Sequence, residues 1–248
     1  MPYMIYSYSR LSLYEECPYH FYKRYVEKRE EPITEPLALG SAVHKAIELI
    51  LKGMEKEEAL FTAEMDSPLP LNSLELRTLV EKAPILQGEG LKEGVEIEKY
   101  FNLPLSSNPN APHIQGFIDL FQLIFGTIEF TDWKTNRVKY KPTETKQLPL
   151  YAWALSKIYK IKEITGTLHF LRFFKNARER MTFSEEDMEN ARKWAETTAN
   201  EIENKLLLLE LGEPADKLFP FKPNKNCKNC PYAAECLLKN EKYFLGVC

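Results

Sequence analysis

The stretch Ile114–Thr135, IQGFIDLFQLIFGTIEFTDWKT, decides how the rest of the chain is read. Two apolar β-type runs, Ile114–Phe125 and Thr127–Thr135, are separated by little more than Gly126, the pattern of a hairpin. Each carries an acid where a half-buried strand is expected to be apolar: Asp119 in the first, Asp132 in the second. Lys134 follows Asp132 at i+2, so both side chains leave the same face of the strand. A pairing that sets Asp119 beside them gathers two carboxylates and an ammonium on one face. Such a cluster can hold a divalent metal and steady a charged oxygen near it. The plainer alternative is an exposed ion pair at a strand end, which would do little.

Before the hairpin, Ser9 reads as the N-cap of a short helix over Leu11–Glu16, interrupted at Cys17-Pro18. Phe21–Val26 resumes an aromatic and basic helical pattern, and Glu30–Pro36 is a polar loop. Leu39–Lys52 has the apolar spacing of a helix, with Gly40 and His44 on one face. Residues 53–94 are helical by composition but broken by Pro68, Pro70 and Pro84, and read as a helical insertion or lid. Val95–Leu105 is the first core strand. After the hairpin, Pro142–Tyr159 is a helix that Pro149 kinks or delays. Ile164–Phe174 is a strand, turned at Asn176-Ala177 into Arg180–Phe183. Ser184 with Asp187 approximates a capping box for a long helix from Glu185. This order predicts an α/β fold, a mixed central sheet flanked by helices.

Composition narrows the function. At 248 residues, 44% hydrophobic and 28% charged, the chain suits one domain with an insertion. Lys plus Arg number 33 and Asp plus Glu 36, a net charge of −3, so nucleic-acid binding would have to rest on local patches. No signal peptide or membrane-spanning run is read, which predicts a cytoplasmic protein with no membrane partner. In that reducing setting five cysteines are expected to be metal ligands or free thiols rather than disulfides. No Gly-x-x-x-x-Gly-Lys-Ser/Thr is present, so helicase action would need a partner.

Four short motifs follow one another: G40SAVH44, G116FID119, D132WK134 and Q147LPLY151. Gly116 leaves room beside its strand, Gln147 and Tyr151 share a helix face, and His44 is a ready metal ligand. In this order they resemble the PD-(D/E)XK nucleases of the RecB type. Ile118-Asp119 stands where that family has Pro-Asp, and its second acid is Asp132. The resemblance implies a restriction-endonuclease-like core in which His44, Asp119, Asp132 and the main-chain carbonyl of Trp133 hold Mg²⁺ or Mn²⁺. It implies that Lys134 orients or activates the attacking water, and that Gln147 and Tyr151 position the DNA backbone or the lysine. Glu98 matches a further acid of the family, with Glu96 as its competitor.

Cys227-x-x-Cys230-x-x-x-x-x-Cys236 stands near the end of the chain and Cys17 near its start. Local spacing leaves a Cys₄ zinc site and an iron–sulfur cluster equally open. One early cysteine plus a late trio resembles the 4Fe–4S staple of AddB-type and CRISPR-associated RecB-like nucleases, which implies an iron–sulfur module built from residues 1–30 with 213–248. Cys248 reads as a spare thiol. Basic and aromatic residues fit a single strand, because bases stack while phosphates are neutralised. The candidates are Tyr22, Arg24, Arg137, Lys139, Arg172 and Arg178; a solvated surface with core aromatics is the alternative. The function expected is a metal-dependent DNA exonuclease acting on single-stranded or frayed ends in repair, recombination or CRISPR spacer processing. Helicase or CRISPR integrase proteins are the partners such a role implies. The competing readings are a non-catalytic DNA-binding subunit and a zinc-stapled interaction protein.

Overall fold

The computed structural model describes residues 4–239; Cys248 and the end of the expected 213–248 segment lie outside the described residues. In chain order the elements are β1 (Ile5–Ser7), α1 (Tyr8–Glu16), α2 (Pro18–Phe21), α3 (Glu35–Leu51), α4 (Lys56–Met65) and α5 (Ser73–Glu81). Then come β2 (Val95–Pro104), β3 (His113–Ile124), β4 (Thr127–Lys134), α6 (Gln147–Tyr159), β5 (Ile164–Phe170), β6 (Arg178–Phe183), α7 (Glu185–Glu210), α8 (Ala215–Leu218) and α9 (Ala233–Lys239). They form two compact units. The larger comprises residues 33–103 and 115–193, the smaller 1–32, 104–114 and 194–248, and α7 carries the chain from one to the other. Among the described residues no helix is long and apolar enough to cross a membrane.

The hairpin is the centre of the larger unit. β3 and β4 pair antiparallel from Ile124 opposite Thr127 to Leu120 opposite Thr131. Phe125 (φ 46°) and Gly126 (φ 85°) both lie in the left-handed region that a two-residue type I′ turn requires. β4 then pairs parallel with β5, the connection running through α6, and β5 pairs antiparallel with β6. β2 joins on β3. The result is the expected mixed sheet flanked by helices.

On one face α3 buries Ala38, Leu39, Ala42, Val43, Ala46, Ile47, Ile50 and Leu51. Residues 53–94 supply α4 and α5, whose Ala59, Leu60, Ala63, Leu76, Leu79 and Val80 share this core with Leu120 and Trp133. On the other face α6 buries Leu148 to Leu155 as a continuous run. Pro149 lies in the first turn of α6, where no intrahelical N–H bond is lost, so the helix starts late rather than kinking.

Several boundaries differ from expectation. Ser7, not Ser9, caps α1: its backbone is extended and its Oγ accepts from the Arg10 N–H at 3.3 Å. Pro36 lies in the first turn of α3 instead of a loop, a position that tolerates a residue without an N–H. Tyr22–Val26 form a π-helical turn. The strand expected to reach Phe174 stops at Phe170, because the Phe173 N–H closes a turn onto the Phe170 carbonyl. The Ser184 capping box is present: the Asp187 N–H donates to Ser184 Oγ at 3.1 Å and the Ser184 N–H to Asp187 Oδ2 at 3.0 Å.

Gly166 on β5 shows how tightly the sheet meets its neighbours. A Cβ there would lie 2.6 Å from the Phe130 ring and 2.9 Å from the Phe183 ring. Both rings are buried and stacked at 6.5 Å, so neither can swing away. Gly166→Ala should therefore destabilise the protein by about 1–3 kcal/mol through overpacking. Urea unfolding would read this as a lower midpoint at unchanged slope.

In the smaller unit β1 is fixed to α7 by Tyr6 O–H donating to Glu203 (2.7 Å), and α1 by Tyr14 O–H donating to Glu201 (2.5 Å). Tyr14, Phe21 and Phe219 form one ring cluster.

Candidate active site

Asp119 and Asp132 each stand one residue beyond the last registered pair of the hairpin, Leu120 opposite Thr131, close enough for their charges to interact. The Trp133 N–H donates to Asp119 Oδ2 at 2.7 Å, which fixes that carboxylate at the strand end. From α3, His44 reaches the same place. Its Nε2 donates to the Trp133 carbonyl at 2.9 Å and its Nδ1 lies 3.4 Å from Asp119 Oδ2. Gly40, one turn earlier, lets α3 come close to β4: a Cβ there would sit 3.4 Å from Thr135 Oγ1.

Glu98 completes this group. Ligand atoms of His44, Glu98 and Asp119 lie within 4.8 Å of one another. Glu98 has φ 51°, uncommon for a non-glycine residue, and this local break in β2 belongs to the acid that meets the site. Its competitor Glu96 is engaged elsewhere, 2.6 Å from Lys99 Nζ and accepting from Tyr159 O–H at 2.8 Å. The crowding of charge has its usual electrostatic result. Burial and then the Asp119 charge push Glu98 up to about 7. Burial would lower His44, but the charges of Asp119, Asp132 and Glu98 together outweigh it and the imidazole rises to about 9.

Asp132 belongs to a second, adjoining arrangement. It is 6% exposed, and Lys134 Nζ lies 2.6 Å from its Oδ2 as an ion pair rather than a well-angled hydrogen bond. Gln147, at the start of α6, ties the pair together: its Nε2 donates to Asp132 Oδ1 at 2.8 Å, and its Oε1 accepts from Lys134 Nζ at 3.0 Å. The two partners fix the amide's orientation. Burial pushes Asp132 upward; it would lower Lys134, but the Asp132 charge holds that ammonium above its ordinary value. Tyr151, one turn after Gln147, is buried and packs edge-on against Phe101 at 5.3 Å. Gly116 is what makes this possible, since a Cβ there would lie 2.8 Å from the Phe101 ring and 3.1 Å from that of Tyr151. The room beside the strand is thus occupied by aromatic rings.

The basic candidates are divided. Arg137 lines a cavity of about 520 Å³ with Thr135, Asn136 and Arg172. Arg172 is already committed: Nε donates to the Thr135 carbonyl at 2.7 Å and Nη1 meets Glu75 at 2.6 Å. Lys139 donates to the Asn176 carbonyl at 2.7 Å and to Glu179 at 3.1 Å. Arg178 is exposed on β6. In the smaller unit Tyr22 stacks on Phe219 at 5.2 Å, and Arg24 pairs with Glu31 at 3.4 Å.

Cys17, Cys227, Cys230 and Cys236 all line one cavity of about 240 Å³ in the smaller unit, together with His20. No disulfide links them, and no three of the sulfurs lie within 4.8 Å of one another. Cys230 Sγ is 3.8 Å from His20 Nδ1. Burial, followed by the neighbouring thiols, pushes Cys236 up to about 12.

The sequence reading missed two features. One is the bond from Gln147 to Asp132; its contact with Lys134 is among the roles that the resemblance implies. The other is the commitment of Arg172 to Glu75, a pairing across 97 residues that no local pattern announces.

No curated protein sequence matches this chain. A solved structure described as "Crystal structure of SSO0001" is similar at 14% identity and a TM-score of 0.40, over 88% of this chain and 93% of that one. The family model of the PD-(D/E)XK nuclease superfamily matches residues 5–237, so the chain belongs to that superfamily of metal-dependent nucleases.

Proposed function

We propose that this protein is a DNA exonuclease that hydrolyses phosphodiester bonds from single-stranded or frayed ends. The observation that carries the reading is the meeting of His44, Glu98 and Asp119 beside the Asp132–Lys134 pair, inside a chain of this superfamily. An imidazole, carboxylates and the Trp133 carbonyl are a donor set that fits Mg²⁺ or Mn²⁺. When bound, the ion would lower the pKa of water and offset charge on the phosphate. His44, Glu98, Asp119, Asp132 and the Trp133 carbonyl are the groups to hold it. Lys134 presents its ammonium beside them, to orient the attacking water and to meet charge growing on the phosphate oxygens. Gln147 keeps Lys134 and Asp132 in register with each other. Tyr151 packs behind them and positions Gln147.

In the same reading the smaller unit carries a 4Fe–4S cluster held by Cys17, Cys227, Cys230 and Cys236. The convergence of all four on one cavity supports a shared metal site. The expected partners are DNA ends and a helicase or CRISPR integrase, and the expected settings repair, recombination or spacer processing.

End-labelled single-stranded DNA should be degraded with Mg²⁺ or Mn²⁺ and spared with EDTA, while closed single-stranded circles survive. Rapid nicking of circles would point to an endonuclease. Tight binding with no cleavage under any metal would favour the non-catalytic subunit. Salt dependence separates the basic candidates. Arg137→Ala should reduce the slope of log affinity against log salt by about 0.7, one phosphate contact on a single strand. Lys139→Ala should leave it unchanged, because that ammonium is held by Asn176 and Glu179.

A further inference from the structure

The strands that bring Glu98 and Asp119 to the site continue past it, and their alternation lays out a second surface. On β2, Lys99 and Phe101 face α6: Lys99 Nζ sits 5.5 Å from the Phe121 centroid and 5.3 Å from that of Tyr159, and Phe101 packs on Tyr151. Tyr100 and Asn102 therefore leave the opposite face. On β3, Gly116 faces Phe101 and Tyr151, so Gln115 and Phe117 leave the opposite face.

The Tyr100 and Phe117 rings meet with centroids 5.0 Å apart and planes inclined at 44°. Tyr100 O–H donates to Gln115 Oε1 at 3.0 Å, and Asn102 Nδ2 donates to Tyr100 O–H at 3.3 Å. Yet the two rings remain 48% and 54% exposed. A pair of large aromatics, held in place by neighbours and still open to water, gains little for folding and marks a contact surface. Phe117 is two residues from Asp119 along β3, about 7 Å, which is the reach of one nucleotide.

We infer that Tyr100 and Phe117 form a stacking platform for the bases of a single strand whose phosphate lies at the His44–Glu98–Asp119 group. The inference rests on the nuclease reading above and adds its specificity. Continuity with that group on the same two strands selects the occupant. Aromatic faces accept any base, so the contact is indifferent to sequence. A base paired within a duplex is already stacked and cannot lie on them. The platform thus makes the site prefer unpaired ends.

The test is binding of the full chain, in EDTA so that nothing is cut, to a labelled oligothymidylate and to a blunt duplex of equal length. Phe117→Ala and Tyr100→Ala should each weaken single-strand binding about tenfold with unchanged salt slope, leaving duplex binding as in the parent. Phe117→Trp should restore affinity, and its added indole fluorescence should be quenched by the oligonucleotide. An abasic nucleotide near the labelled end should weaken the parent but not Phe117→Ala. Unaltered affinity in both alanine variants, equal losses on duplex, or sedimentation showing a dimer closed over these rings would each overturn the platform. Normal cleavage by variants that bind as the parent does would remove the platform and leave the nuclease standing. Base-sensitive binding without cleavage under any metal would do the reverse.

Discussion

Asp132→Asn should yield a folded protein whose release of label from single-stranded DNA falls at least about a hundredfold. Asp119→Asn should behave alike, since an amide oxygen can still accept from the Trp133 N–H while the charge that favours a metal is gone. Lys134→Ala should lose activity as well, but at a further cost. It leaves the Asp132 carboxylate, 6% exposed, without its ammonium. Removing one member of a buried pair destabilises by about 3–5 kcal/mol. The double variant Asp132→Asn with Lys134→Gln should then unfold at a higher temperature than Lys134→Ala, while remaining inactive. Near-parental, EDTA-sensitive cleavage by Asp132→Asn would remove that residue from the site. A double variant no more stable than Lys134→Ala would mean that the pair does not carry this burial energy.

The second large effect is expected at Cys230. Anaerobically purified protein should be brown, with broad visible absorption that bleaches on reduction. Cys230→Ser should lose that colour, and its melting temperature should drop by about 10 °C, because the metal joins segments far apart in the chain. A colourless parent with stoichiometric zinc would decide for the zinc-stapled alternative. A variant that keeps both colour and melting temperature would take Cys230 out of the ligand set.

The hairpin was legible because its signals are local. A two-residue turn around Gly126, period-2 strands and the i+2 spacing of Asp132 and Lys134 all fall within 22 residues. Helix α6 and the Ser184 cap were legible for the same reason. Two kinds of feature were not. Backbone exceptions such as the left-handed Glu98 carry no residue signature, since glutamate rarely adopts that conformation. Long-range partners are equally silent: Arg172 looked like a free cation until Glu75 and the Thr135 carbonyl met it. The start of α3 was misjudged because Pro36 reads as a loop residue, and only its place in the first turn reconciles it with a helix.

The cysteine cavity has a consequence for how the chain is made. Its walls come from residues such as His20 and Cys230, 210 positions apart. At a ribosomal pace of 5–20 residues per second, α1 and α2 would wait roughly 10–40 s for their partners. During that interval the sheet and the α3–α5 core can close, because all their residues precede α7. Tyr14 and Phe21, buried in the finished protein, lack the ring they pack against until Phe219 emerges. The smaller unit is therefore completed only after the residues of the larger one have been made, and any cofactor held by all four cysteines must be loaded after Cys236 has emerged.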